Sequence, residues 1–153
     1  MPPQPRTVAP TAVPADRWPD VRSLPGSRAE GNPGIFEWHC PATVRWRVVA
    51  FACKTQADAT GAPRYWELAV TDQNGTDVLA VASAATLPVG AAGFYVAARN
   101  WSLATGPDGS GVYTQPLPDV YVEHDWTITA TYVGAGVADV IGPANLLVEQ
   151  CGA

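Results

Sequence analysis

The sequence predicts an all-β protein: an antiparallel β-sandwich of jelly-roll type with about eight strands, preceded by an extended proline-rich arm. Several runs alternate apolar and polar side chains and are rich in β-branched and aromatic residues, the pattern of half-buried strands. No stretch keeps the 3.6-residue apolar spacing of a helix beyond a turn or two. The 153 residues, 47% of them hydrophobic, suffice for one domain with its own core. An immunoglobulin-like sandwich is the alternative, but its Cys-Trp-Cys spacing is absent.

The prolines define the arm. Eight of the 15 prolines lie in residues 1–34, and proline can neither propagate a helix nor pair in the middle of a sheet. We therefore assign residues 1–34 to an extended arm and residues 35–153 to the sandwich domain. The arm is either a disordered tail or a segment that orders against a neighbouring subunit. Its apolar side chains favour the second, because a solvated tail gains nothing from a tryptophan; these candidate partner-binding residues are Val8, Val13, Trp18, Val21 and Leu24.

Alternation is clearest in three predicted strands, residues 42–53, 64–71 and 126–133. The first of them is expected to turn one face inward, formed by Val44, Trp46, Val48 and Ala50. Weaker patterns predict strands at 35–40, 77–82, 93–101, 112–115, 118–123 and 145–151, of which 112–115 and 118–123 form either one strand or two. Asn74-Gly75 lies between two alternating runs and predicts a tight hairpin that joins 64–71 to 77–82.

Six tryptophans raise the question of a carbohydrate site, because exposed Trp rings on a β-sandwich can stack on sugars. Trp46, Trp66 and Trp126 fall on the inward parity of their strands, so we expect them in one core between the sheets. Trp18, Trp38 and Trp101 remain as possible contact residues. A carbohydrate-binding accessory module is therefore the alternative function, with Trp101 as a possible contact surface.

Metal and thiol chemistry have little support. Three cysteines without a C-x-x-C pair predict free thiols, with a Cys40–Cys53 disulfide as the alternative. Residues 72–77 carry oxygen ligands but lack the distal glutamate of a calcium loop, and turn chemistry explains them as well. Suitable metal-ligand types without metal-ligand spacing occur at Glu37, His39, Cys40, Glu123, His124 and Asp125. We expect neither a metal nor a cofactor.

Charge and motifs also argue against several classes of function. The net charge is −5 with no basic block, which argues against binding to nucleic-acid phosphates. No apolar run approaches the roughly 18 residues of a membrane span. No serine lies in a Gly-x-Ser-x-Gly context, and no glycine-rich loop precedes a helix. The sequence predicts a protein that is not an enzyme.

Several segments lie in a fixed order over roughly residues 42–149: Val44–Val49 (VRWRVV), Arg64–Gly75 (RYWELAVTDQNG), Leu117–Val122 (LPDVYV), Trp126–Ala130 (WTITA), Asp139, and Asn145–Glu149 (NLLVE). In this order they resemble a group of small structural proteins of tailed bacteriophages. The group usually has a glycine before the sixth strand, where this chain has Glu123, His124 and Asp125.

The resemblance implies a virion component, such as a head decoration, neck or minor tail protein, assembled in the cytoplasm of a bacterial host. Its implied partners are other virion proteins, namely capsid, portal or neck, and tail subunits, as well as further copies of itself. Binding through the arm and the sandwich edges is expected, without nucleic acid or membrane. The resemblance carries no catalytic residue.

Overall fold

In the computed structural model, residues 20–83, 86–99 and 112–152 are described, and they form eleven strands in two sheets. No helix in these residues is long and apolar enough to cross a membrane. The strands are β1 (Asp20–Pro25), β2 (Ser27–Ala29), β3 (Asn32–His39), β4 (Val44–Gln56), β5 (Tyr65–Thr71), β6 (Asp77–Ala82), β7 (Ala92–Arg99), β8 (Val112–Leu117), β9 (Tyr121–Val122), β10 (Thr127–Val133) and β11 (Val140–Gly152).

Four nested antiparallel pairs define the architecture. Starting from the innermost hairpin they are β5–β6, β4–β7, β3–β10 and β1–β11. One sheet has the order β1-β11-β4-β7-β8, with β9 beside β4, and the other has the order β2-β3-β10-β5-β6. A long hairpin folded over two sheets in this way is a jelly roll, so the predicted all-β sandwich is confirmed, with eleven strands in the described residues instead of about eight.

The innermost turn lies where the sequence predicts it, at Asn74-Gly75. Gly75 has φ 80°, a left-handed conformation that glycine adopts without strain. The Asp72 carboxylate accepts hydrogen bonds from the backbone N–H groups of Asn74 (2.8 Å) and Thr76 (2.9 Å), and these bonds hold its pKa below the ordinary value. Asp72 thus stabilises the turn through hydrogen bonds to its backbone, which is the turn chemistry expected of these residues.

One pairing departs from the antiparallel prediction. Strand β8 runs parallel to β7, with Phe94 opposite Val112 and Arg99 opposite Leu117. Strand β9 adds only two pairs to β4. The segments 112–115 and 118–123, which the sequence left as one strand or two, are therefore two strands with different partners.

The predicted boundary between arm and sandwich is wrong at residue 34. Residues Asp20–Pro25 form β1, the outermost partner of β11, and β2 and the start of β3 also precede residue 35. Proline excludes a segment from the middle of a sheet but not from its edge, and β1 and β2 are both edge strands. The sandwich therefore begins by residue 20.

The inward face of β4 changes partway along the strand. Ala50 lies opposite Leu147, but Val48 lies opposite Val148, so β4 has one extra residue at Val49. This β-bulge reverses the alternation. Trp46 and Val48 are buried before it, and Phe51 and Cys53 after it, so Ala50, expected inward, is only half-buried.

Aromatic rings fill the space between the sheets. The Trp66 ring centroid lies 5.1 Å from that of Tyr132 and 5.2 Å from that of Phe51. Trp46 and Trp66 are buried, as predicted. Trp126 is only half-buried. It ends a turn in which Asp125 has φ 63°, and it therefore lies just before β10, where the regular alternation of buried side chains begins.

Trp38 corrects a second expectation. The sequence suggests a possible contact residue, yet Trp38 is buried with 4% exposure. Its Nε1–H donates a 2.9 Å hydrogen bond to the carbonyl of Leu24. Trp38 therefore ties β1 of one sheet to β3 of the other.

Candidate interaction surfaces

The predicted partner-binding residues divide into two groups. Val8, Val13, Trp18 and Trp101 lie outside the described residues. Val21 and Leu24 lie on β1, where Val21 is 58% exposed. Leu24 packs against the core and accepts the hydrogen bond from Trp38. Leu24 therefore stabilises the sandwich, whereas Val21 is an exposed apolar side chain of β1 that is free to contact a partner.

Strand β1 is the first candidate surface, because it is the edge of the larger sheet. In the part of the chain that the structure describes, β11 is the one strand paired with it. An edge strand presents backbone N–H and C=O groups that can pair with another chain. The proline-rich segment 1–19 joins the sandwich at this edge.

The outer face of the same sheet carries a network of ion pairs. Arg47 donates to both carboxylate oxygens of Asp119, at 2.7 and 2.9 Å, which lowers the pKa of Asp119. Arg99 lies 3.3 Å from Glu149 and 3.6 Å from Asp119. Positive and negative groups thus alternate on this face, and it offers no basic patch for an anion.

The second candidate surface is an apolar groove at the far end of this sheet, called the end groove below. It is open, has a volume of about 340 Å³, and is lined in part by Lys54, Gln56, Phe94 and Val140. Phe94 is 36% exposed and Val140 is 64% exposed. This surface has no clear signal in the sequence, because no pattern assigns a facing to Phe94 and Val140 lies outside the predicted strands.

Two loops add apolar side chains beside the end groove. Val89 and Val137 are both exposed, and Asp58 holds their loops together. Its carbonyl accepts a bond from the N–H of Gly90 (2.6 Å), and its carboxylate accepts one from the N–H of Ala138 (3.2 Å). Four exposed apolar side chains therefore gather at one end of the sandwich.

A buried charged cluster lies under these loops. Arg64 is fully buried, and its guanidinium donates to Asp58 at 2.7 Å. The backbone N–H of Thr60 also donates to Asp58, and these bonds, Thr60 first, lower the pKa of Asp58 to about 2. Because the guanidinium is paired with carboxylates and its donors are satisfied, the cluster has a structural role in holding the loops.

The suggested metal ligands have other partners. His39 Nδ1 lies 3.0 Å from Thr127 Oγ1, Glu123 pairs with Arg45 at 2.8 Å, and the buried Cys40 thiol lies 3.6 Å from the carbonyl of Val122. In the described ranges, no group of three His, Cys, Asp or Glu residues is placed to hold a metal ion. All three cysteines carry free thiols.

The described tryptophans expose little ring surface on which a sugar could stack. Of the four described tryptophans, Trp38, Trp46 and Trp66 are buried. Trp126 is half-buried, and its Nε1–H donates to Gln73 Oε1 at 2.8 Å. The carbohydrate alternative therefore depends on Trp18 and Trp101.

Comparison with known proteins gives no relative: no protein family, no curated protein and no solved structure matches the chain.

Proposed function

We propose that the protein is a non-enzymatic structural component of a tailed-bacteriophage virion. It binds neighbouring head, neck or tail subunits through its N-terminal arm and the edges of its sandwich. The observation that carries the proposal is the junction between the arm and β1. A proline-rich segment with three apolar candidate residues joins an exposed sheet edge, so the arm and the edge can contact one neighbour together.

The physical advantage of this arrangement is avidity. Once β1 or a nearby loop touches a neighbour, the arm is held close to that neighbour, and its binding becomes effectively intramolecular. Two weak contacts then give a stable attachment without a large interface. Repeated subunits in a particle make such double contacts around a closed ring.

The fold and the resemblance support the proposal independently. Jelly rolls include viral capsid domains, although they also include lectins. Two of the segments that resemble phage structural proteins contain Arg64 and Asp139, which form an ion pair in the folded chain.

Deletion of the arm tests the proposal. A chain that lacks residues 2–19 keeps β1 and the whole sandwich, so we expect it to fold with an unchanged Tm. We expect it to be incorporated into particles far less than the full chain when both are expressed during infection. A deletion that extends to residue 30 is unsuitable, because it also removes β1 and β2.

Normal incorporation of the shortened chain would contradict a role for the arm. Absence of the full chain from purified particles would contradict the virion assignment. Specific binding to a glycan array that Trp101→Ala abolishes would favour the carbohydrate alternative.

A further inference from the structure

We propose that the end groove binds the N-terminal arm of a neighbouring copy, so that the subunits associate head to tail. This inference rests on the proposed function and names the partner of the arm. The bound segment is residues 2–14, whose apolar side chains include Val8 and Val13. The groove contributes Phe94 and Val140, with Val89 and Val137 on adjacent loops.

The chemistry of the two surfaces is complementary. Residues 2–14 contain five prolines, two valines and a single charged side chain, Arg6. A proline-rich segment favours the extended polyproline II conformation and loses little entropy when it docks on an aromatic-lined groove. Phe94 supplies the aromatic ring and is exposed on β7. Val140 is exposed on β11, which lies on the other side of β4.

The positions of the arm and the groove favour a neighbour over the same chain. Asp20 lies opposite Gln150, which lies opposite Trp46, at one end of β4. The groove lies at Lys54 and Gln56, at the other end. Ten residues of strand separate Trp46 from Gln56, a distance of roughly 33 Å.

The reach of the arm decides between the two. Val13 precedes Asp20 by seven residues and Val8 by twelve, which gives spans of roughly 22 and 37 Å in a polyproline II segment. Val8 therefore reaches the groove of its own chain but Val13 falls short of it, so the two valines cannot both bind there. When a second copy places its groove next to Asp20, both valines are within reach. A head-to-tail contact of this kind is heterologous and builds rings or filaments.

The test uses two variants of the full-length chain and their mixture. The arm variant carries Val8→Asp and Val13→Asp, and the groove variant carries Phe94→Asp. Val78→Asp is the matched control, because Val78 is also exposed but lies on β6 of the other sheet. Sedimentation velocity measures association over a range of concentrations, and thermal denaturation confirms that each variant is folded.

We expect the unmodified chain and the control to form oligomers, and each of the two variants to associate roughly tenfold more weakly or worse. The mixture is the decisive sample. The groove variant keeps an intact arm and the arm variant keeps an intact groove, so together they make one productive contact. We therefore expect the mixture to give a one-to-one dimer and nothing larger.

Three results would overturn the inference. They are a monomeric unmodified chain at all concentrations, a groove variant that associates like the control, or a mixture that stays monomeric while the unmodified chain associates. The first is the result expected if each arm folds back on its own groove. None of them bears on incorporation into particles, so the proposed function is tested separately.

Discussion

Arg64 and Asp139, 75 residues apart in the chain, form a two-point ion pair in the interior of the sandwich. Arg64 Nε donates to one carboxylate oxygen at 2.9 Å and Nη2 donates to the other at 2.8 Å. The exposed fraction of both side chains is close to zero. Parallel donation of this kind is the strongest arrangement available to an arginine and a carboxylate.

The pair connects the two sheets at the end that carries the groove. Arg64 directly precedes β5 in one sheet, and Asp139 directly precedes β11 in the other. The carbonyls of Thr60 and Ala62 accept further bonds from the guanidinium, at 2.7 and 2.8 Å. Gly136 leaves room for the cluster, since a Cβ there would lie 2.4 Å from an oxygen of Asp58.

Removal of one partner of this pair is expected to destabilise the protein strongly. Asp139→Ala removes the two-point partner of a buried guanidinium and leaves it only the single bond to the carboxylate of Asp58, so we expect the Tm to fall by about 10 °C or more. Arg45→Ala is the control, because its ion pair with Glu123 is largely exposed and should change the Tm by no more than about 2 °C. Differential scanning calorimetry measures both, and equal shifts would contradict the assignment.

The cluster also predicts how stability changes with pH. Folding lowers the pKa of Asp58 from 3.8 to about 2. Burial raises the pKa of Asp139, but the bonds and charge of Arg64 and the hydrogen bonds with the backbone of Asp58 and Gly136 together outweigh it and leave that pKa below the ordinary value as well. A lowered folded-state pKa stabilises the protein above the unfolded-state value, and this stability is lost as the pH falls.

We therefore expect the Tm to drop between about pH 5 and pH 2. The Asp58→Asn variant should be less stable at pH 7 and lose less of its stability over the same interval. Parallel thermal scans of the two proteins at several pH values measure the difference. If the Tm of the two proteins falls equally steeply with pH, Asp58 does not contribute to the pH dependence of stability.

Burial predicts an order of stability among the tryptophan variants. Trp66→Ala and Trp46→Ala should each lower the free energy of unfolding by roughly 3–5 kcal/mol, the usual cost for a buried aromatic residue. Trp38→Ala belongs with them, because it also removes the bond to Leu24. Trp126→Ala should cost under about 2 kcal/mol, because its ring is half-exposed. Urea denaturation gives the four values, and a Trp126 cost equal to that of Trp66 would contradict this order.

The three thiols should differ sharply in reactivity. Burial raises the pKa of Cys40 to about 11 and that of Cys53 to about 12, so both stay protonated at neutral pH and poorly nucleophilic. Cys151 is exposed. We expect a maleimide to add once to the folded protein and three times after denaturation, as measured by intact mass without reductant. A mass two hydrogens lower before labelling would instead indicate a disulfide.

Local patterns predicted most of the fold. Alternation located β5, β6 and β10 to within a residue, and Asn74-Gly75 located the innermost turn, because both depend on neighbouring residues alone. The bulge at Val49 depends on the register with β11, which no local pattern encodes. The position of β1 was missed for a similar reason, since its prolines are compatible with an edge strand only once the sheet order is known.

The interaction surfaces were predicted less well. The apolar residues of the arm were recognised from composition, but Leu24 and Trp38 contact each other across the two sheets, and neither had a pattern that assigned it to the core. The end groove combines β4, β7 and β11, which lie far apart in sequence. Its apolar character therefore became visible only in the folded chain.

A map of the intact particle tests the central claim most directly. The account predicts that electron cryo-microscopy of the phage that carries this sequence will show the jelly roll at a repeated position in the head, neck or tail. Density for the arm should continue from Asp20 onto an adjacent subunit. Purified particles without this chain, or a jelly roll in the particle whose arm contacts no neighbour, would contradict the account.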